Sequence, residues 1–409
     1  MTDKYLIEPD VNFVREVVGL GGDTLKKCFQ CATCSVICPI SPDTSPFPRK
    51  EMLAASWGLK DKLVANHDIW LCHHCGDCTT KCPRGAKPGE TLSAIRSYAI
   101  ADYAVPPADG IMTDESPLSR IINAQFLPLH LATKTIGKAV NDPKMLPLLI
   151  GIPTAIFLGL GLILKIFGIN WLNWPGGDEI VHSHFFNSWL VDLIFVPLVF
   201  FWIMPIFTFG LTRFIKDIHA NAILAGKTDK TELDAGGFIK ALIYVIPTIL
   251  KQDKFTECDE NKDRDVAHLM VFLSFIALFI VTNIFFIHLY VLQWHGPYPQ
   301  WHPAKWLANI GGVALIAGGI LMIKNRLGKT DQPTYYKDWY LIGLVLGLGL
   351  TGMLTEMTRL MNLAGISYGM YFIHLIFVFN LFAFLPFSKL AHLVYRTVAM
   401  AYDKYIERQ

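Results

Sequence analysis

The stretch Cys28-Phe-Gln-Cys31-Ala-Thr-Cys34-Ser-Val-Ile-Cys38-Pro39 recurs in the same form as Cys72-His-His-Cys75-Gly-Asp-Cys78-Thr-Thr-Lys-Cys82-Pro83. Each run reads C-x2-C-x2-C-x3-C-P. Three thiolates on one tight loop can cap one corner of an iron–sulfur cubane. Proline after the fourth Cys turns the chain away from it. Structural zinc asks for less, two separated C-x2-C pairs with four ligands in all. Each run here carries a third Cys at x2 and a fourth at x3, which zinc does not need. No secretory signal precedes the runs, which counts against disulfides.

The spacing is that of two-cluster ferredoxins, in which the fourth Cys of each run crosses to the other cluster. This assigns Cys28, Cys31, Cys34 and Cys82 to one [4Fe–4S] cluster, and Cys72, Cys75, Cys78 and Cys38 to the second. Eight of the nine Cys are thereby used, and the ninth is Cys258. Thiolate ligands need a reducing compartment, so the cluster-bearing head is expected in the cytoplasm.

The 409 residues are 52% hydrophobic and only 17% charged, against about 25% charged in soluble domains. The deficit lies after residue 144, so a soluble head precedes a membrane part. A net charge of +2 gives no reason to expect nucleic acid as a partner. Residues 1–104 are expected to form a helical two-cluster ferredoxin domain, with helices near Asp10–Gly19, Arg49–Trp57 and Gly89–Tyr103. Residues 105–144, rich in proline, read as a linker with an amphipathic helix near Leu118–Leu131. Residues 145–388 read as a six-helix membrane domain, and 389–409 as a C-terminal helix on the cytoplasmic side.

The six spans are Met145–Ile166, Trp189–Leu211, Ala267–Leu292, Trp306–Ile323, Trp339–Met361 and Gly369–Phe387, each of membrane-crossing length. Lys and Arg decide their orientation. Nine fall in Arg213–Asp265, four in Lys324–Asp338 and four after Phe387, with almost none in the alternate loops. Both termini and the inner loop 213–266 are therefore expected on the cytoplasmic side of the inner membrane. The outer loops are aromatic, as in Trp171-Leu-Asn-Trp174 and Trp294–Trp301. Lys305 and the latter loop read as quinone contacts or as interfacial anchors. Gly236–Leu250 is apolar but short and contains Pro247, so it reads as a helix on the inner surface.

Ionisable residues at bilayer depth are functional candidates. His268 begins the third span and His288 ends it, while His374 opens the last span and His392 follows it. The 18 residues from His374 to His392 are five turns, about 27 Å on a straight helix, although Pro386 intervenes. Two imidazoles on different helices at one depth can clamp a haem iron. By topology His268 and His392 share the inner side, His288 and His374 the outer. Histidines at helix ends can equally be interfacial polar tips, the reading given to His182, His184, His295 and His302. His73 and His74, inside the second run, either tune a cluster or are solvated. His67, His130 and His219 carry no site signal.

The segment His374-Leu-Ile-Phe-Val-Phe-Asn-Leu-Phe-Ala-Phe-Leu-Pro-Phe-Ser-Lys-Leu-Ala-His392 resembles the final helix of the respiratory nitrate reductase gamma subunit family. Gly318–Leu327 is similar to its counterpart there, and the likeness covers roughly residues 185–400. The resemblance implies a haem b held by His268 and His392 and a second haem with His374 as one ligand. The family's other ligand falls at Leu278 here, which leaves His288 as the candidate, on a different helix face. The second run, with Pro88 and Ile95-Arg96, resembles the small iron–sulfur subunit of heterodisulfide reductase. Cys258–Arg264 and Leu350–Arg359 resemble membrane subunits associated with that enzyme. Head and membrane part in one chain resemble the C component of the quinone-interacting membrane-bound oxidoreductase complex. That resemblance implies menaquinone as substrate, two flavin-containing partner subunits similar to the A component of heterodisulfide reductase, and adenylylsulfate reductase downstream.

The expectation is thus an all-α electron-transfer subunit of a redox complex. No acid–base or nucleophile constellation, adjacent Cys-Cys pair or dinucleotide fingerprint is evident. The rivals are a membrane subunit of a sulfite-reduction or heterodisulfide-type complex, and a zinc-binding membrane anchor without redox chemistry.

Overall fold

A computed structural model describes residues 8–106, 120, 126–168, 180–251, 263–294, 296–328 and 335–407. The regular elements among the described residues are all helical. Cys258, His295, the Trp171–Trp174 loop and half of the Leu118–Leu131 segment lie outside them, as does the His184 side chain. The chain forms two compact units, neither of them continuous. One gathers Met1–Gly137, Ile206–Asp265 and Pro386–Gln409; the other gathers Lys138–Pro205 and Val266–Leu385.

The first unit is the cysteine-bearing head. Its helices are α1 (Val11–Gly19), α2 (Thr33–Val36), α3 (Arg49–Ser56), α4 (Lys60–Val64), α5 (Asp68–Leu71), α6 (Asp77–Thr80) and α7 (Pro88–Tyr103). Asp10 caps α1 by accepting from the Phe13 amide at 2.9 Å, and Phe13 and Val17, one turn apart, enter the core. Pro88 opens α7, where a missing N–H costs nothing. Around Leu92 and Ile95 of α7 close Phe13, Met52, Leu63, Ile69 and Trp70.

Two distant stretches complete this core. Phe214, Ile218 and Ala222 come from the end of the long helix Ser188–Leu224, and Tyr395, Ala399 and Tyr402 from the C-terminal helix Ala391–Tyr405. Lys227 pairs with buried Asp68 at 2.6 Å, Asn221 donates to the Ala65 carbonyl at 3.0 Å, and the Tyr103 hydroxyl donates to Asp217 at 3.0 Å. The helix Ala235–Lys251 also belongs here, packed on the C-terminal helix. Ala241 and Val245 are buried, while Ile239, Ile243, Tyr244 and Leu250 are exposed.

The helices of membrane length belong to the second unit, except that Ser188–Leu224 ends in the first. Six helices of the described residues are long and apolar enough to cross a membrane: Pro143–Ile166, Ser188–Leu224, Val266–Tyr290, Pro303–Leu327, Tyr336–Leu360 and Ala364–Ala383. The chain therefore reads as a multi-pass membrane protein. Many large apolar side chains face outward, among them Leu148, Ile163, Phe201, Phe279 and Ile310, as a lipid solvent permits. Val271, Leu315, Leu344, Val345 and Leu348 form an inner seam that Leu278 and Phe377 flank. Gly347 allows its helix to approach Phe377, whose ring occupies the place of a Cβ.

Two expected boundaries differ. The second span continues as helix to Leu224, past Leu211, because Phe214, Ile218 and Ala222 repeat at helical spacing and are buried in the head. The last span stops at Ala383, and a 3-10 turn, Leu385–Phe387, separates it from the C-terminal helix. Pro386 has no amide hydrogen to continue the ladder. His374 and His392 thus stand on different helices and in different units, and the five-turn spacing does not apply.

Candidate cluster sites and intramembrane histidines

The two cysteine runs adopt one backbone. Gln30 and Ala32 have φ of 58° and 69°; the equivalent His74 and Gly76 have 58° and 99°. Left-handed conformations cost a non-glycine residue about 1 kcal/mol or more each. Left-handed residues in a tight loop can turn amides inward as an anion nest, a device of iron–sulfur sites. In each loop the second left-handed residue opens a one-turn helix, α2 or α6, and these two helices pack together.

That packing brings the runs into register with a crossing. One pocket is lined by Cys28, Cys31, Cys34 and, from the other run, Cys82. Burial pushes the Cys34 thiol up to about 11, and the neighbouring charges that raise it further are those of Cys28, Cys31 and Cys82. Burial pushes Cys38 up to about 12, with Cys72 and Cys75, of the other run, adding to it. Cys78 is raised well above its ordinary range by burial, then by Cys72, Cys75 and Cys38. Four thiolates cannot share such a volume without compensating positive charge, which iron supplies. Among the described residues, no three His, Cys, Asp or Glu side chains converge as for a single ion. The thiols ring a volume instead, and this donor set fits a cubane, whose irons each take one thiolate.

Hydrogen bonds to sulfur are present in both sets. Gln30 Nε2 donates to Cys28 Sγ at 3.3 Å, and the His74 amide to Cys72 Sγ at 3.3 Å. Cys31 is held below its ordinary range, chiefly by its Thr33 hydroxyl partner at 3.4 Å. The Gly89 amide, in the first turn of α7, lowers Cys78 against burial. A Cβ on Gly89 would come within 3.1 Å of the His74 ring.

The surroundings of the second loop are the more built. Arg96 Nη1 donates to the carbonyls of Ile69 and Cys72 at 2.8 and 3.0 Å. His74 Nε2 stands 3.0 Å from Glu90 Oε1, and His73 bonds Arg396 of the C-terminal helix at 2.8 Å. Buried Trp70 stacks on His392 at 5.6 Å and on Tyr395 at 5.5 Å, its indole N–H without a partner among the described residues. His73 and His74 are therefore not solvated loop residues. Their surroundings are not legible in the sequence because Arg396 is 323 positions from His73.

In the second unit, Thr351 accounts for His374. The Thr351 hydroxyl donates to the Gly347 carbonyl at 2.6 Å and lies 2.9 Å from His374 Nδ1. With its one hydrogen committed, Thr351 accepts from Nδ1–H, which puts the imidazole lone pair on Nε2. An oriented imidazole with a free Nε2 lone pair is the form that ligates iron. His288 is engaged elsewhere, among Trp294, Tyr298 and His302, and no hydrogen bond or ring contact among the described residues joins it to His374. Leu278 packs against the apolar seam. His268 belongs to this unit and His392 to the head.

At one end of this unit lies a polar group whose members the sequence names only separately: Lys305 and the loop holding Gln300 as quinone contacts or anchors, and Glu356 and Arg359 within the Leu350–Arg359 segment. Surface ion pairs are common, but this carboxylate is enclosed: Glu356 meets Lys305 Nζ at 3.0 Å, the Arg359 fork at 2.8 and 3.0 Å, and Gln300. His182 Nε2 bonds Ser367 Oγ at 2.9 Å, and Ser367 donates to the Thr355 carbonyl. Burial, then the Arg359 cation, lowers His182 to about 4, so it is neutral.

Comparison with known proteins agrees with the head. Residues 24–86 match the 4Fe-4S dicluster domain family. Over 172 residues, 41% of this chain and 90% of the relative, it is 29% identical to the C component of the H(2):CoB-CoM heterodisulfide,ferredoxin reductase of Methanothermobacter marburgensis. It is 37% identical over 102 residues, 23% of this chain and 54% of the relative, to a C-type iron-sulfur subunit of the CoB–CoM heterodisulfide reductase of Methanocaldococcus jannaschii. A likeness across both units is to citrate utilization protein B of Escherichia coli, 24% identical over 97% of this chain and 92% of that protein. No solved structure matches. An iron–sulfur head like that of the heterodisulfide reductase C component, continued into a membrane part, makes the chain a membrane-associated electron-transfer component of a redox complex.

Proposed function

We propose that the chain carries electrons between a quinone pool and cytoplasmic partner subunits, as the membrane subunit of a quinone-linked oxidoreductase. The observation that carries this reading is the sorting of eight cysteines into two crossed sets in one unit, while the other holds an oriented His374 among membrane-length helices. In it Cys28, Cys31, Cys34 and Cys82 hold one [4Fe–4S] cluster, and Cys72, Cys75, Cys78 and Cys38 the other. His268 with His392 are the pair proposed for one haem b, and His374, through Nε2, is proposed as a ligand of a second. When bound, these groups supply one-electron transfer without protons. Quinol gives up two electrons and two protons, so the protein must handle the protons itself. Neutral His182 and the Glu356–Lys305–Arg359 group are the side chains proposed to receive and pass them at the membrane end. The inner membrane, with both termini cytoplasmic, is the orientation proposed.

The likeness to heterodisulfide reductase components supports membership of a multi-subunit complex; flavin-containing subunits of that enzyme's A type, with adenylylsulfate reductase as the acceptor further on, are the partners proposed. A second reading keeps the relay and changes the soluble partner, since the likeness spanning both units is to a citrate utilization protein. Co-purified partners separate the two readings. Iron and haem per purified chain test the relay itself. About eight cluster irons and a reduced-minus-oxidised b-type band, diminished in His374→Ala and in His392→Ala, are the expected result. A colourless, iron-free or zinc-loaded protein would overturn it.

A further inference from the structure

The mouth of the first cluster pocket is a part of the head that its own fold leaves uncovered. Cys31 is exposed, and beside it Phe29 and Val36 are 66% and 83% exposed. Large apolar side chains standing in water next to a redox centre mark a surface meant to be covered. The charge around them has one dominant sign. Arg49 and Arg84 line the pocket, and the Arg84 guanidinium lies 4.0 Å over the Phe29 ring. Lys26 and Lys27 directly precede Cys28, Lys50 follows Arg49, and Lys81 directly precedes Cys82. All six are exposed, and none has an ion-pair partner among the described residues. Only Asp23 and Asp43 are exposed acids in the same stretches. The second loop has no such face: Cys72, Gly76 and Asp77 are buried.

We propose that the Phe29–Val36 mouth, with its cationic rim of Lys26, Lys27, Arg49, Lys50, Lys81 and Arg84, is the docking port for an acidic redox protein that exchanges electrons with the first cluster. The inference rests on the iron–sulfur part of the proposed function and adds the port and the partner's charge. Opposite charge steers the encounter and aligns the two surfaces. The apolar centre, Phe29 and Val36, excludes water once they meet. In the exchange the reduced cluster loses one electron, the partner's cofactor gains one, and no bond or proton moves.

The test uses the full-length purified protein with an acidic flavodoxin as probe, measuring binding affinity against salt and, separately, electron transfer from dithionite-reduced protein. Binding should weaken steeply with salt. Lys81→Glu with Arg84→Glu should weaken it about tenfold or more at low salt and flatten that slope. The same pair should slow reduction of anionic hexacyanoferrate(III) and speed that of cationic hexaammineruthenium(III), with iron content unchanged. Phe29→Ala should weaken flavodoxin binding with the salt slope intact. Equal affinity in wild type and double variant, or no inversion between the two inorganic oxidants, overturns the port. So does finding that the double variant loses only self-association or binding to anionic lipid vesicles. Absence of iron in the wild type would defeat the proposed function instead, a result told apart by metal analysis before any rate is taken.

Discussion

The two cysteine loops share a sequence pattern and a backbone, yet they live in different environments. The first is open: Cys31, Phe29 and Val36 face solvent beside cations that have no ion-pair partner among the described residues. The second is enclosed, with Cys72 9% exposed, Arg96 bonded behind it, Glu90 on His74 and the C-terminal helix on His73. In the proposed relay one ligand pattern thus serves two ends. The enclosed loop lies against the helix that bears His392, and the open loop faces outward. A cluster's potential responds to charge, sulfur hydrogen bonds and solvent, so the environments rather than the motifs set the two apart.

The sharpest way to break this contrast is to remove one ligand from each loop. Cys78→Ser should destabilise the head more than Cys31→Ser does, because metal binding at a buried site is folding free energy. Cys31→Ser should fold and keep about half the iron. The crossing predicts more: Cys82→Ser should erase the first loop's cluster signal and Cys38→Ser the second's, read by paramagnetic resonance of the reduced protein. Loss of the uncrossed partner in either case would refute the pairing.

Arg96→Leu comes next. It strands two buried carbonyls, Ile69 and Cys72, and should cost roughly 3–5 kcal/mol in denaturant unfolding. The second cluster's signal should change and the first's stay. Equal disturbance of both would make the enclosure of the second loop unimportant to it.

Glu51, in the segment joining the loops, tests the same buried core by pH. Burial, then the Asp68 charge, raises it to about 7 from an ordinary 4.5, so the folded protein holds a proton that the unfolded chain releases. Its folded-state pKa lies above the unfolded one, and the unfolded state binds fewer protons between those values. Stability therefore falls as pH rises from about 4.5 to about 7, by on the order of 3 kcal/mol. Glu51→Gln should remove that slope in thermal melts and be more stable than wild type at pH 8. An unchanged slope would show that Glu51 is not the group responsible.

The smallest effect is the control. Asp10→Ala loses the cap on α1 and should cost about 1 kcal/mol with both cluster signals unaltered. A change in either signal would mean that the loops feel the far side of the head.

Much of the molecule is legible in the sequence for a physical reason. Ligand spacing within each run is local, so the runs announce the iron–sulfur sites and the nearness of Cys82 to the first of them. Twenty apolar residues in a row have one solvent, so the six spans are readable to within a turn at most ends. The helix of residues 235–251 can also be told from a span. The enclosure of the second loop is not readable, because His73 meets Arg396 and Trp70 meets His392 only after the chain has returned from its last span.

By itself, then, the sequence determined what is periodic or contiguous: helical class, thiolate spacing, apolar lengths and the position of His374 within a span. Tertiary structure alone decided which loop stays open, that Thr351 orients His374, and that Glu356 is caged by Lys305 and Arg359. Those outcomes depend on side chains far apart in the chain meeting in a medium of low dielectric, where hydrogen bonds and charges must be satisfied by whatever the fold brings near.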